Sequence, residues 1–169
     1  DILQNIFCLP SYLSFCSDEE KEVLTKQAVD AGILIALNPK KLPGCYLHRS
    51  NPNDVARVEQ LTFICTPTKE GAGSTNNWMD PKEAYGKVGK LFDGAMEGRT
   101  MYVIPYVMGP AGSPFAKIGF EITDSLYVVL NMRIMTRMGK LALDMLGSSP
   151  DFNRGLHAVR DCHPDRRFI

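Results

Sequence analysis

Two runs of strand-forming residues, joined by a short turn, constrain the fold of this chain more than any other feature of its sequence. The first run, Thr100–Met108, and the second, Lys117–Thr123, are rich in β-branched, aromatic and other apolar residues that favour strands. The segment 109–114 between them reads Gly-Pro-Ala-Gly-Ser-Pro, a composition typical of tight turns. We therefore predict two neighbouring strands of one sheet.

Two helix starts are recognisable from their capping residues. Ser17 and Glu20 frame Ser-Asp-Glu-Glu, a capping box, and the helix that follows is predicted to end at Gly32. Its apolar positions fall near the helical period: Val23, Leu24, Ala28 and Ala31. Asp80 precedes a proline at the first helical position, which predicts a second helix that ends at Gly94. That helix is predicted to bury four apolar residues: Ala84, Val88, Leu91 and Phe92.

The other segments complete a mixed pattern. Residues 61–65 have the composition of a short buried strand, and residues 127–138 favour a strand followed by a helix. Residues 140–146 are predicted to be helical, whereas residues 151–169 form a polar tail without a long element. Because helices and strands interleave, we predict an α/β domain, with α+β as the alternative, built on a mixed sheet with flanking helices. Residues 1–169 show no repeat or interior linker and are treated as one domain.

Charge and hydropathy argue against two classes of partner. The chain has 19 basic and 19 acidic residues spread along its length, so no basic surface for nucleic acid or for an anionic membrane stands out. No apolar run approaches the roughly 20 residues that span a bilayer, and residues 1–10 lack the layout of a signal peptide. We expect a soluble cytoplasmic protein.

The cysteines indicate reduced thiols rather than disulfides or a metal site. They are odd in number and widely spaced, in a chain long enough to fold without disulfides. No pair has the spacing of a zinc site, and His163 next to the last of them lacks a second ligand pair. The cysteines are Cys8, Cys16, Cys45, Cys65 and Cys162.

Arginines are the side chains most suited to binding an anion. Arg49, Arg57 and Arg99 lie beside predicted loops or element ends, where a guanidinium can hold a carboxylate or phosphate through two hydrogen bonds. The alternative for each is a solvated charge or a local ion pair. Arg133 and Arg137 would share a face if that stretch is helical. The sequence leaves these alternatives open.

The other reactive side chains have no catalytic context. His48, His157 and His163 are far apart and belong to no metal-binding motif, and Ser113 and Ser125 have no identifiable base. The glycines of segment 109–114 lack the spacing of a phosphate-binding loop, so a turn is the simpler interpretation. Six methionines are predicted to fill the core: Met96, Met101, Met108, Met132, Met135 and Met138.

Several stretches, in order along the chain, resemble one known family. They read NDVARVE at 53–59, TNNWM at 75–79, GRTMYVIP at 98–105, MGPAGSP at 108–114 and MRIMTRMG at 132–139. Shorter matches are KIG at 117–119, TDS at 123–125 and PDRR at 164–167. Together they resemble the GTP-dependent phosphoenolpyruvate carboxykinases, from about residue 11 to the last residue.

The resemblance implies a fold and an activity. The fold is the amino-terminal domain of a two-domain carboxykinase, and the activity is the reversible conversion of oxaloacetate and GTP into phosphoenolpyruvate, carbon dioxide and GDP, a step towards glucose synthesis. The family requires divalent metal, typically Mn²⁺, with Mg²⁺ on the nucleotide. A monomer is expected.

One residue of the family's site can be placed on this chain by resemblance. Arg57 matches the arginine of the Asp-Val-Ala-Arg stretch that binds the substrate carboxylate. No catalytic residue and no metal ligand is carried over, because the family's metal ligands, phosphate-binding loop and lid would lie beyond Ile169. The resemblance therefore predicts an incomplete carboxykinase that is inactive alone. The alternatives are a stand-alone dicarboxylate- or anion-binding domain and a structural remnant without catalysis.

Overall fold

The computed structural model describes residues 12–17, 19–49 and 58–159. Within these ranges the strands are β1 (Tyr12–Phe15), β2 (Ile35–Ala36), β3 (Tyr46–Leu47), β4 (Phe63–Ile64), β5 (Asn77–Trp78), β6 (Thr100–Met108), β7 (Lys117–Thr123), β8 (Arg137–Met138) and β9 (Asn153–His157). The α-helices are α1 (Lys21–Asp30), α2 (Pro81–Phe92), α3 (Leu126–Met135) and α4 (Lys140–Leu146), and two 3₁₀ turns lie at Glu59–Leu61 and Lys69–Ala72.

A five-stranded mixed sheet forms the centre of the fold. The predicted pair β6 and β7 is antiparallel, with Tyr102 opposite Thr123. On the other edge of β6, β1 pairs in parallel and β8 pairs antiparallel, while β9 pairs in parallel with β7. Helices and strands interleave around this sheet, so the prediction of an α/β domain on a mixed sheet is confirmed.

The core has two apolar clusters, one on each face of the sheet. Ile104 of β6 packs with helices α1 and α3, whereas Met101, three residues earlier, points to the other face beside Phe92 of α2. The first cluster contains Cys16, Leu24, Ile104, Val129 and Met138, and the second contains Phe92, Ala95, Met96 and Ala158. The flanking helices therefore bury both faces of the central strands.

The helix caps follow the local chemistry of the sequence. The Glu20 carboxylate accepts a 2.8 Å hydrogen bond from the Ser17 backbone N–H, which is one half of the predicted capping box. The Ser17 hydroxyl accepts from the Glu19 N–H instead of the Glu20 N–H, and α1 begins only at Lys21. Asp80 accepts hydrogen bonds from the backbone N–H groups of Lys82 and Glu83 at the start of α2. Both predicted helices are confirmed, and both end within two residues of the predicted glycine.

The order of elements in residues 127–138 is the reverse of the prediction. A helix, α3, comes first, and the strand β8 follows it. Tyr127, Val128 and Val129 favour strands intrinsically, but Ser125 caps a helix here by accepting from the Val128 N–H, and Val129 is fully buried in the core. Tertiary packing has overridden local propensity. Arg137 consequently lies on β8 and shares no helix face with Arg133.

Four expectations about burial and extent are also wrong in part. Phe63 and Ile64 form a strand, but both side chains are more than a third exposed, because β4 pairs only with β5 among the described residues. Of the four apolar residues of α2, Phe92 alone is buried. The tail contains the strand β9, which was not predicted. Of the six methionines predicted to fill the core, Met108 and Met135 are exposed instead.

Every helix within residues 12–17, 19–49 and 58–159 falls short of the length and apolar character needed to cross a bilayer.

Candidate functional site

The candidate substrate-binding residue Arg57 lies outside the described residues, and the described chain resumes at Val58. From there the backbone forms the 3₁₀ turn Glu59–Leu61, in which the Val58 carbonyl accepts from the Leu61 N–H at 3.0 Å and from the Thr62 hydroxyl at 2.8 Å. The Glu59 carbonyl accepts from the Thr62 N–H at 3.2 Å. The two residues that follow Arg57 in the sequence therefore belong to a hydrogen-bonded turn.

One side chain from a distant part of the sequence also contacts this turn. The Asn77 amide nitrogen donates to the Glu59 carbonyl at 2.7 Å and to the Thr62 carbonyl at 3.2 Å. Asn77 lies on β5, opposite Phe63 of β4, and the next residue, Trp78, donates its ring N–H to the Thr66 carbonyl at 2.9 Å. The turn is thus tied to the short β4–β5 pair.

A shallow polar depression opens beside the turn. Glu59, Gln60, Thr75 and Asn77 line it. This lining contributes a carboxylate, two amides and a hydroxyl but no cation among the described residues. Affinity for an anionic ligand at this place would have to come from a cationic side chain nearby in the sequence, and Arg57 is two residues from Glu59.

A second polar cluster joins β6, β7 and the end of β9. The Asp124 carboxylate is fully buried and accepts from the Arg99 guanidinium at 3.2 Å and from the Val159 N–H at 2.8 Å. Thr123 and His157 share a buried 2.8 Å hydrogen bond between Oγ1 and Nδ1. Arg99 therefore takes part in an internal ion pair, the second of the two alternatives that the sequence left open.

A half-buried carboxylate lies on the face of the sheet that also carries Tyr106. Glu121 of β7 is opposite Gly155 of β9, and a Cβ atom at Gly155 would collide with the Glu121 carboxylate. Burial raises the pKa of Glu121 from 4.5 to about 7. Burial also raises the pKa of Tyr106, and the negative charge of Glu121 adds to the effect. The absence of a side chain at Gly155 is what makes room for this acid.

Comparison with known proteins decides the family. Residues 5–167 match the sequence profile described as the phosphoenolpyruvate carboxykinase N-terminal domain. The chain belongs to this family. It is 67% identical over 164 residues to the phosphoenolpyruvate carboxykinase [GTP] of Anaeromyxobacter dehalogenans (strain 2CP-C). The aligned residues make up 96% of this chain and 28% of that protein. The predicted family and its amino-terminal domain fold are confirmed.

More distant carboxykinases match as well. The phosphoenolpyruvate carboxykinase [GTP] of Chlamydia muridarum is 56% identical over 143 residues, covering 85% of this chain and 24% of that protein. That of Corynebacterium kroppenstedtii is 55% identical over 154 residues, covering 90% of this chain and 25% of that protein. The chain thus spans about a quarter of the length of the curated relatives it matches.

The histidines and serines of this carboxykinase domain have structural contacts. The His48 ring stacks on Tyr127 with centroids 3.9 Å apart, and its Nδ1 bonds to the Ile33 carbonyl at 2.7 Å. The Ser113 hydroxyl accepts from the Phe115 N–H inside the predicted turn, and Ser125 caps α3. These contacts place each residue in the framework of the domain, while His163 lies outside the described residues.

The cysteines of the domain are free thiols where they are described. Cys16 is buried, and burial raises its pKa to about 11, with the charge of Glu20 adding to the rise and that of Arg133 opposing it. Such a thiol is a poor nucleophile at neutral pH, because the thiolate is the reactive form. Cys45 and Cys65 are exposed free cysteines, and the other two lie outside the described residues: Cys8 and Cys162.

The described part of the carboxykinase domain does not offer a metal site. No three His, Cys, Asp or Glu side chains within residues 12–17, 19–49 and 58–159 lie together in a way that could hold a metal ion. The Mn²⁺ and Mg²⁺ that the family implies therefore do not fit these residues, and no chemical step is assigned to metal here.

Proposed function

We propose that this chain is part of a GTP-dependent phosphoenolpyruvate carboxykinase, which converts oxaloacetate and GTP reversibly into phosphoenolpyruvate, carbon dioxide and GDP in the cytoplasm, towards glucose synthesis. The observation that carries the proposal is the 67% identity to a carboxykinase across 96% of the chain. The chain covers 28% of that protein, so we propose that GTP and the divalent metals bind to the remaining part of the enzyme. The enzyme is proposed to act as a monomer.

The proposed contribution of this chain is to hold the substrate carboxylate through Arg57. Its guanidinium is planar and permanently charged, and it offers two parallel N–H groups to the two oxygens of a carboxylate. Such a pair fixes the orientation of oxaloacetate or phosphoenolpyruvate, so less orientational freedom has to be lost in the reaction itself. The polar depression lined by Glu59 supports this assignment, because it is an open, polar surface with room for a small anion, and Glu59 is two positions from Arg57 in the sequence.

The proposal is tested on the full-length protein encoded by the gene that carries this segment. We expect phosphoenolpyruvate to form from oxaloacetate with GTP, and Arg57→Ala to raise the KM for oxaloacetate about 100-fold, since two charge-assisted hydrogen bonds are lost. The KM for GTP should not change. Arg49→Ala is the matched control, because Arg49 is an exposed arginine eight positions earlier and should leave both values unchanged.

Three outcomes would contradict the proposal. A reading frame that ends at Ile169 would leave a binding or structural domain instead of an enzyme. A full-length protein without GTP-dependent formation of phosphoenolpyruvate would refute the activity. An unchanged KM for oxaloacetate in Arg57→Ala would refute the role of that residue while leaving the activity in place.

A further inference from the structure

We propose that an exposed apolar patch at one end of the sheet is the surface against which the rest of the full-length protein packs. Four side chains form this patch: Met108 at the end of β6, Phe115 in the β6–β7 turn, and Ile134 and Met135 at the end of α3. They are 53%, 83%, 83% and 68% exposed, respectively. The inference rests on the proposed function, because only a longer enzyme supplies such a partner.

The β6–β7 turn brings Phe115 next to Met108. Met108 pairs with Lys117, which is two positions after Phe115. The backbone of Gly109 lies against the other side of the turn, since a Cβ atom at Gly109 would be 3.7 Å from the Phe115 carbonyl oxygen. Both apolar residues therefore border the same tip of the β6–β7 pair.

The end of α3 reaches the same tip. Val107 pairs with Arg137 on the other edge of β6. Met135 and Ile134 come two and three positions before Arg137, so each is at most about 11 Å along the chain from the end of β6. The Arg137 guanidinium donates to the carbonyl of residue 109 at 3.2 Å, which ties this segment to the turn. Two segments that are distant in sequence thus meet in one patch.

The patch is large for a surface that is left to water. At roughly 200 Å² for a large side chain, the exposed fractions of the four residues amount to on the order of 500 Å². Contiguous apolar surface of this size is near the upper end for monomeric proteins and marks an interaction site. Two of the four residues are methionines, whose flexible thioethers adapt to an irregular partner surface.

The size of related proteins and the local charge both indicate the occupant. The aligned residues make up 28% of a carboxykinase that is 67% identical to this chain, so most of such an enzyme is available to cover the patch. Segments 108–117 and 132–137 contain no acidic residue and three basic ones: Lys117, Arg133 and Arg137. The covering surface should therefore be apolar at its centre and acidic at its border.

The continuing chain is long enough to reach the patch. The last described residue, Val159, donates its N–H to the Asp124 carboxylate at 2.8 Å, just before α3 begins. The patch lies at the other end of α3, a helix of 10 residues that is about 15 Å long. Residues 160–169 can span at most about 35 Å, so chain beyond Ile169 can lie on the patch without a change in the described fold.

A site-specific photocross-link in the full-length protein tests the inference. p-Benzoylphenylalanine replaces Phe115, and mass spectrometry identifies the cross-linked peptides after illumination. We expect the main cross-link to join position 115 to a peptide beyond residue 169 of the same molecule. The matched control carries the probe at Tyr85, an aromatic residue of α2 that is 62% exposed and lies outside the patch. Its yield of a cross-link to the same peptide should be at least fivefold lower.

A second measurement needs no substitution in the patch. Met108 and Met135 of the full-length protein should react with dilute hydrogen peroxide at least tenfold more slowly than methionine in an unfolded peptide in the same tube, because a covered thioether is shielded from the oxidant. Oxidation of both residues at the rate of the peptide would show that the patch faces solvent and would refute the inference.

The remaining outcomes of the cross-link also overturn it. A product that joins two copies would make the patch a dimer interface, and a cross-link within residues 1–169 would show that this domain covers the patch itself. An equal yield from Tyr85 to the same peptide would show unspecific capture. Phosphoenolpyruvate formation tests the proposed function separately: activity without a cross-link beyond residue 169 refutes only the inference, and the expected cross-link without activity refutes only the activity.

Discussion

Replacing Glu121 by Gln should stabilise the domain above neutral pH and have little effect in mild acid. Glu121 is half-buried beside Gly155, and burial raises its pKa from 4.5 to about 7. Below pH 4.5 the carboxyl is protonated in both the folded and the unfolded chain, so it carries no penalty. As the pH rises from 4.5 to about 7, the unfolded chain releases this proton first, and the folded state loses stability until the folded group ionises too.

The size of the effect can be worked out from the two pKa values. The difference between 4.5 and about 7 corresponds to about 3 kcal/mol for a fully desolvated group. Because Glu121 is only half-buried, water screens part of this penalty, and we expect about 1–2 kcal/mol. The Gln side chain has nearly the same shape and does not ionise, so it should recover this free energy of unfolding in full at pH 8 but only about a quarter of it at pH 5, where the unfolded carboxyl is already partly ionised.

The measurement is urea unfolding of the purified chain at pH 5 and pH 8, followed by circular dichroism. Glu22→Gln is the control, because Glu22 is an exposed acid of α1 whose replacement should change the free energy of unfolding by less than about 0.5 kcal/mol at either pH. A Glu121→Gln variant with equal effects at pH 5 and pH 8, or one that destabilises the chain at pH 8, would show that burial of this carboxylate is not the cause.

Two further predictions concern close contacts of the same sheet. Asp124→Ala should lower the free energy of unfolding by about 2–4 kcal/mol, because the buried carboxylate pairs with Arg99 and accepts from the Val159 N–H; a urea midpoint within error of the parent would contradict this. Gly119→Ala should cost about 1–3 kcal/mol, because a Cβ would lie 2.5 Å from the Tyr106 ring. Tyr106→Leu should relieve that clash, so strictly additive losses in the double variant would argue against it.

The parts of the fold that the sequence predicts correctly are those determined by local chemistry. Strands β6 and β7 are long, rich in β-branched and aromatic residues, and separated by a glycine- and proline-rich turn, so neighbouring residues alone specify them. The start of α2 depends on Asp80 and the proline after it, and both act within the first helical turn. For such elements the tertiary structure agrees with the local preference.

The errors occur where distant contacts decide the outcome. Helix α3 contains strand-favouring residues, but it lies between α1 and the sheet, and burial of Val129 outweighs the preference for a strand. Strand β9 is polar and contains Gly155, and such a composition is typical of loops. In the structure the Glu121 side chain lies against Gly155, a contact that only the tertiary fold creates. Neither the burial of Val129 nor the contact of Glu121 with Gly155 can be recognised from residues that are close in the sequence.

The candidate site also contains one residue that the sequence points to and one that only the structure shows. Arg57 was placed by its resemblance to a family motif and stays a prediction. Asn77 was not singled out, although it lies in the stretch TNNWM that carries part of the resemblance. Its contacts to Glu59 and Thr62 depend on the pairing of β4 with β5, and a register between two-residue strands leaves almost no signal in a sequence.

The position of β1 beside β6 has a consequence for the synthesis of the protein. Tyr12 pairs with Thr100, so the first described strand leaves the ribosome almost ninety residues before its partner. At typical translation rates this is a delay on the order of 10 s, during which α1 can form but β1 has no neighbouring strand in this sheet. Phe15 and its neighbours would then be exposed to chaperones or to other nascent chains, whereas β6 and β7 emerge together and can pair at once. Substitutions in β1 are therefore expected to lower the yield of folded protein more than its final stability.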